Sequence, residues 1–269
     1  MTNSPNPPRF FYKDEYLDEF GRFLQSVEYT DRNPLNTEML FLWSMIRARK
    51  PELFIESGTY RGYSAIFICE AMKRNGNQVS FVSMGYNLEN CLRYARRRLE
   101  PYRFAHVVEG DSRILINKYW KGETRKTAFF IDGPKGRNMP PLFFSILRNF
   151  HNIAFIAVHD CERDSGSGNR WYLENFFGRE FPIFYCETSF QEQFSFLDKP
   201  LIGKSEISPW KPYFWNNRRR ESYGTETGYV LPNLGKQKPS LYLIPFYLYR
   251  LFRFKIYLGI TNIYHNRFD

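Results

Sequence analysis

Four cysteines in 269 residues, Cys69, Cys91, Cys161 and Cys186, are too few and too scattered for a dense disulfide framework, and no Cys-x-x-Cys pair marks a zinc site. That usage fits a reducing cytoplasm. The Asn- and Pro-rich start, Met1 to Arg9, holds no apolar run of the kind a secretory signal needs. A long uninterrupted hydrophobic run is missing too: the stretch 241–258 is broken by Pro245, Arg250, Arg253 and Lys255. Each central Arg or Lys costs roughly 2.5–3.5 kcal/mol on insertion, which excludes a transmembrane helix there. There is no internal repeat.

Aromatic residues are plentiful at 19%, with 27 Phe and 19 Tyr, and the hydrophobic share is 43%, so a disordered chain is excluded. The net charge of +10 is uneven. Residues 201–269 hold 11 basic and 4 acidic residues, +7, which leaves +3 for the first 200. A basic excess attracts nucleic acid, anionic lipid or acidic substrates, and here it sits mostly at one end.

Two helices are expected first. One is Asp14 to Gln25, with Tyr16, Leu17, Phe20, Phe23 and Leu24 at helical spacing. The other is Thr37 to Arg49, with Thr37 as N-cap and Pro51 beyond its end. Short apolar runs then alternate with amphipathic stretches. The runs are 53–55, 79–82, 105–108, 128–131 and 153–158; the stretches are 63–73, 88–99, 113–120 and 141–150. That alternation predicts βαβ units, hence an α/β fold with a Rossmann-like, doubly wound, mostly parallel sheet. Beyond Asp160 the alternation stops. Residues 164–169 read as a loop, and 181–188 and 228–231 as antiparallel edge strands closing a mixed sheet. The segment between these strands reads as a long insertion. The expected division is an N-terminal segment and helix (1–36), the sheet domain (37–200) and a basic, aromatic C-terminal extension (201–269).

Ligands of such sheets bind beyond the carboxyl ends of the strands. The first strand runs into Glu56-Ser-Gly58-Thr-Tyr-Arg-Gly62-Tyr-Ser64, whose glycines allow a tight turn before a helix N-terminus. That suits a nucleotide-like ligand, or it serves turn geometry alone. The third strand ends in Gly110-Asp111-Ser112, where Asp111 either meets an adenine amino group or N-caps the next helix. The fourth ends in Asp132-Gly-Pro-Lys135-Gly136 and the fifth in His159-Asp160. Acidic or His residues at three consecutive strand ends converge on one rim.

Taken in order, Glu56-x-Gly58-x-x-x-Gly62, Gly110-Asp111-Ser112, Phe130-Ile-Asp132-Gly-Pro-Lys135-Gly136 and Val158-His159-Asp160 resemble the class I S-adenosylmethionine-dependent methyltransferases. The nearest group is the bacterial small-molecule and glycan O-methyltransferases with an Ile-Asp-Gly-Pro-Lys segment, and the resemblance spans roughly Thr37 to Arg163. It implies that S-adenosylmethionine binds with Glu56, Gly58, Gly62 and Ser64 around its methionine part and Asp111 and Ser112 at the adenine. Asp132 would face the sulfonium and the acceptor. In metal-dependent members the matching carboxylate and one after the fifth strand, here Asp160, hold a divalent cation, and oxygen donors of this kind suit Mg²⁺. Cys161 stands where catechol-type members have Asn.

One departure concerns the ribose. Members place an acid at the end of the second strand, and this chain reads Phe81-Val-Ser-Met84-Gly85-Tyr86-Asn87 there. Asn87 or Glu89 substitutes, or the cofactor binds weakly, or the chain is a catalytically silent relative.

The expected reaction is methylation of a hydroxyl on a small molecule or glycan, with His159 as general base. A metal between Asp132 and Asp160 is the alternative activator, and Lys135 would steady an acidic acceptor group. For the tail two readings stand. Residues 241–258 lie on an anionic membrane surface, making the protein cytoplasmic and peripheral, or they pack on their own domain or another subunit of a homo-oligomer. Nucleic acid is disfavoured. No recognition motif accompanies Arg218-Arg219-Arg220, and the Asn/Asp-Pro-Pro-Tyr type of motif used for base amines is absent.

Overall fold

A computed structural model describes residues 12–28, 34–76, 79–161, 168–178, 181–186, 188–198, 214–215, 218–219 and 227–231. All belong to Met1–Pro232, one of two units into which the chain divides; the other is Asn233–Asp269. The tail segment 241–258 lies outside the described residues. Among those residues, no helix is long and apolar enough to cross a membrane.

Five parallel strands form the body of a seven-stranded sheet: β1 (Leu53–Ser57), β2 (Ser80–Gly85), β3 (Ala105–Glu109), β4 (Thr127–Ile131) and β5 (Ile153–Val158). β1, β4 and β5 are buried along their whole length, as strands covered on both faces must be, and so they read as continuous apolar runs. β6 (Ile183–Tyr185) ends the sheet, and with β9 (Gly228–Val230) beside it the order is β3-β2-β1-β4-β5-β9-β6. A separate antiparallel pair is formed by β7 (Phe214–Trp215) and β8 (Arg218–Arg219). β9 (Gly228–Val230) pairs antiparallel with both β5 and β6. Both strands expected to close the sheet pair antiparallel, but β9 lies between β5 and β6, so of the two only β6 is an edge strand.

Among the described residues, eight α-helices accompany these strands: α1 (Asp14–Leu24), α2 (Asn36–Arg49), α3 (Tyr63–Lys73), α4 (Cys91–Leu99), α5 (Ser112–Tyr119), α6 (Met139–Asn149), α7 (Asn169–Phe176) and α8 (Thr188–Gln193). α7 begins inside the stretch expected to be loop, directly after Gly168 at φ +65°.

The N-terminal helices are part of the core. Every residue of α2 from Asn36 to Ile46 is buried, the burial expected of a helix enclosed on all sides. Phe20 of α1 stacks on Phe67 of α3 at 5.2 Å between ring centroids and meets Trp43 of α2 edge-on at 5.7 Å. Such aromatic pairs add about 0.5–1.5 kcal/mol beyond their buried area.

The cap of α2 differs from the expectation. The helix starts at Asn36, and the Thr37 hydroxyl is buried without a hydrogen-bond partner. The carboxylate of Asp198, 162 residues away in sequence, accepts from Asn36 N at 2.7 Å and Thr37 N at 3.3 Å, while Asn36 Nδ2 donates to the Leu197 carbonyl at 2.8 Å. Helix N-termini need an acceptor, and here it arrives from a distant turn. Asp198→Ala is expected to lower the unfolding free energy by about 1–2 kcal/mol in urea titrations at pH 7, as capping losses do; an unchanged midpoint would remove the capping role.

Candidate functional site

The order reverses between β1 and β4, and ligand crevices of such sheets open at that point. Past the last strand residues the backbone stays stitched. Asp132 N and Gly133 N both donate to the Ser57 carbonyl, at 2.8 and 3.1 Å, Gly58 N donates to Met84 O at 2.8 Å, and His159 N donates to Ile131 O at 2.9 Å. Gly58 lies at φ +109°, and a Cβ there would come within 3.0 Å of Asp132 C and Gly133 N, so the β1 and β4 turns touch backbone to backbone. Gly62, at φ +77°, opens α3 and presses on Ala95 of α4. Tyr60, between them, adopts φ +41°, a conformation bulky residues avoid and one that concentrates at ligand sites.

A cleft of about 300 Å³ lies over these turns, the low end of the range for ligand pockets. Gly58, Thr59 and Tyr60 form one wall, Gly110, Asp111 and Ser112 another, and Asp132, Gly133 and Pro134 a third. Of the residues expected at the cofactor, Gly58, Asp111, Ser112 and Asp132 therefore share one lining. Glu56, Gly62 and Ser64 lie outside it. Glu56 is fully buried and accepts hydrogen bonds from Ser64 and Ser83, while Ser83 Oγ also lies 2.6 Å from Thr59 Oγ1. Its carboxylate supports the floor of the β1 turn.

Asp111 does what its N-cap reading predicts, accepting from Arg113 N at 2.9 Å. The Arg113 guanidinium also grips this carboxylate, with Nη2 at 2.5 Å, and Tyr86 OH donates to it at 3.2 Å. Those bonds, Arg113's foremost, hold Asp111 below the usual carboxylate range. Ser112 Oγ lies 2.7 Å from Ser57 Oγ.

At the end of β2 the cleft is lined by Gly85, Tyr86 and Leu88. Asn87, a suggested substitute for the ribose acid, accepts from Leu92 N at 3.3 Å beside the start of α4 and is not in the lining. The side chain of Glu89, the other candidate, lies outside the described residues. Sequence reasoning passed over Tyr86 and Arg113; an aromatic at the position of an expected carboxylate, and an Arg two residues after the adenine-side Asp, were the available signals.

Behind the third wall sits a buried charge cluster. His159 Nδ1 is 3.1 Å from Asp132 Oδ1 and 3.2 Å from Asp160 Oδ1, and its Nε2 is 3.4 Å from Glu38 Oε2. Glu38, buried on α2, also accepts from Thr227 Oγ1 at 2.9 Å and Leu35 N at 3.1 Å. Burial alone would lower the His159 pKa; Glu38, Asp132 and Asp160 outweigh it and raise the imidazole well above its ordinary value. Lys135 Nζ lies 3.2 Å from Asp132 Oδ1 and is hydrogen-bonded to Asp160 Oδ2. Burial opposes its charge as well, and the two carboxylates reverse this and raise it. Asp160, at φ +55°, is pushed up by burial but held well below the usual range by His159 and Lys135. Asn169, which sequence reasoning left in a loop, braces the rim: Nδ2 donates to His159 O at 2.8 Å and Oδ1 accepts from Gly136 N at 2.7 Å.

Asp132, His159 and Asp160 bring one donor atom each within 4.8 Å of one another, a grouping that raises the question of a metal. These residues do not fit a resident Mg²⁺. The carboxylates already share two nitrogen cations, and Cys161 is fully buried, its Sγ donating to Val158 O at 3.2 Å and lying where a Cβ on Gly228 of β9 would touch it. The expected Asp132–Asp160 metal pair is thus an ion pair with Lys135 and His159.

A family model described as a methyltransferase domain matches residues 55–161. Among solved structures, the chain is similar to an O-methyltransferase from Bacillus cereus in complex with SAH, at 16% identity and a TM-score of 0.51, covering 82% of this chain and 92% of that one. It is also similar to the O-methyltransferase TomG from Streptomyces achromogenes, involved in tomaymycin synthesis and in complex with SAM, at 16% identity and a TM-score of 0.50, covering 82% and 91%. No curated protein matches the sequence.

Burial raises Glu56 to about 7, against the lowering effect of its two serine donors. The folded state then keeps a proton that the unfolded chain releases above its ordinary 4.5. This contribution to stability is whole below about pH 4.5 and is lost as the pH rises through about 7. Relative to Glu56→Gln, which cannot titrate, the wild type is expected to lose about 3 kcal/mol between about pH 4.5 and 8. Parallel urea stability profiles for the two proteins would show that Glu56 ionises normally.

Proposed function

We propose that this protein, whose residues 55–161 match a family model described as a methyltransferase domain, is a class I methyltransferase that transfers the methyl group of S-adenosylmethionine to a hydroxyl of a small molecule or glycan. The observation that carries this reading is the convergence of the β1, β3 and β4 ends on a single cleft with the β1 and β4 turns in backbone contact. The backbone of Gly58 to Tyr60 receives the methionine part, next to the N-terminus of α3. Asp111 and Ser112 receive the adenine, and Tyr86 offers the ribose side an aromatic face and a hydroxyl instead of a carboxylate.

Asp132, which lines the cleft and is partly exposed, marks the acceptor end. The acceptor oxygen is held in line with the sulfonium. As the O–CH₃ bond forms, the S–CH₃ bond breaks, leaving the neutral thioether S-adenosylhomocysteine, and the acceptor proton passes to Asp132 and on to solvent. Positioning of this kind supplies much of the acceleration. His159 is assigned a different part from the general base first expected. A base must be unprotonated, whereas this imidazole is buried among three carboxylates that favour its charged form. It orients Asp132 through the 3.1 Å contact between its Nδ1 and Asp132 Oδ1.

The basic excess of residues 201–269 supports a further element of the reading, docking of 241–258 on an anionic surface at the cytoplasmic face of a membrane. Sedimentation with anionic vesicles is expected to pellet the full chain and not a chain ending at residue 240; equal recovery of both in the supernatant would remove this element. For the transfer itself, calorimetry is expected to detect binding of S-adenosylmethionine and S-adenosylhomocysteine, weakened about tenfold, roughly 1.4 kcal/mol, by Asp111→Ala. Absence of heat at millimolar ligand with folded protein would overturn the proposal. Once an acceptor is found, Asp132→Ala is expected to lower kcat by about 10²-fold or more, the scale of a lost proton acceptor.

A further inference from the structure

We propose that the Lys135 ammonium is the cation that Asp132 and Asp160 hold at the acceptor end of the cleft, in the position a divalent metal would need, so that transfer by this protein is metal-independent. The proposal deepens the transfer reading and rests on it for the reaction, though not for the cation assignment. Lys135 Nζ reaches both carboxylates, Asp132 Oδ1 at 3.2 Å and Asp160 Oδ2 in hydrogen-bond contact. A Mg²⁺ ion sits about 2.0–2.1 Å from each oxygen ligand in near-octahedral geometry, so it cannot take one oxygen from each of these carboxylates while the ammonium stays between them. Lys135 is three residues from Asp132 and therefore competes from a tether, whereas the metal must come from solution and shed water.

Among the described residues, the remaining ligand supply is also against a metal. His159 Nδ1 is turned to the same two carboxylates, at 3.1 and 3.2 Å, and its other nitrogen faces Glu38. Cys161 points into the core by β9. Among the described residues, three carboxylates, Glu38, Asp132 and Asp160, thus face two side-chain cations, Lys135 and His159. With Lys135 nearly half exposed at 45% of its side-chain surface, the ammonium is within reach of an incoming acceptor. It can donate a hydrogen bond to the acceptor oxygen, stabilising the charge that develops as the proton passes to Asp132, and it stays protonated throughout. With no metal to chelate, the acceptor does not need two adjacent oxygens.

The full-length protein can be tested with Mn²⁺ alone, because the electron paramagnetic resonance signal of free Mn²⁺ disappears on binding. Wild type is expected to leave the signal unchanged. Lys135→Met is expected to bind Mn²⁺ at least about tenfold more tightly, roughly 1.4 kcal/mol, and Asp132→Asn in that background to abolish the binding. Lys135→Gln serves as a second variant if Lys135→Met does not fold, as judged by circular dichroism. Wild type that binds Mn²⁺ as tightly as the variant, with loss on Asp132→Asn, would overturn the proposal; so would variants that bind none, since the position would then not be a cation site. Calorimetry with S-adenosylhomocysteine on the same samples keeps the two questions apart. Failure to bind it overturns the transfer reading, whereas the Mn²⁺ result alone decides the cation.

Discussion

The Ser57 carbonyl accepts two backbone hydrogen bonds, from Asp132 N at 2.8 Å and Gly133 N at 3.1 Å, and the next residue, Gly58, leaves no room for a Cβ against that same backbone. Where the strand order reverses, the two central strands of a doubly wound sheet usually part to admit a ligand. Here their turns are locked together just beneath the opening. The placement of Asp132 follows from this contact, because its backbone is fixed on one side by β1 and its carboxylate on the other by His159. Ser57 Oγ lies between Ser112 Oγ and the Gly133 carbonyl, so the third wall of the cleft is tied to the same point. A small shift at Ser57 would move three walls at once.

Charge is concentrated behind this backbone lock. Burying carboxylates without partners is costly, and the chain meets that cost with two cations that each serve more than one acid. His159 joins residues from α2 and from the β4 and β5 ends, and Lys135 joins the β4 and β5 turns. Removing any one member takes a counter-charge from at least one neighbour, so the cluster behaves as one object. Its electrostatics favour a charged imidazole behind the carboxylate of Asp132, which lines the cleft. That division of labour leaves Asp132, and not the histidine, in the lining of the cleft.

The strands were legible because parallel strands covered on both faces must be apolar without interruption, as Ile153 to Val158 is. The rim was legible for a related reason: residues just past such strands face one way, so Asp111, Asp132 and Asp160 could be assigned to one edge from their positions alone. What escaped were partners set by tertiary contact. Asp198 caps α2 from 162 residues away, and Glu38 reaches His159 across 121 residues and Thr227 across 189. Nothing local to any of these residues announces its partner. Asn169 escaped differently: its neighbours Ser165, Gly166, Ser167 and Gly168 carry a loop composition that hid the helix start. Glu56 and Ser64 lie outside the cleft lining, and position along a strand or helix does not reveal whether a side chain faces the cleft or the floor beneath it.

Glu38 also bears on how such a domain can be divided. The matched region begins at residue 55, yet the carboxylate facing His159 comes from α2, and the hydroxyl that holds it in turn comes from Thr227, beyond the far end of the same region. The smallest piece recognisable by its pattern is therefore not the smallest piece that is electrically complete. A recombination event that kept residues 55–161 and exchanged the flanking helix for an uncharged one would leave the imidazole with one counter-charge fewer, even though every recognisable motif survived. Inheritance of this rim is tied to inheritance of α2, and the two are free to diverge only together.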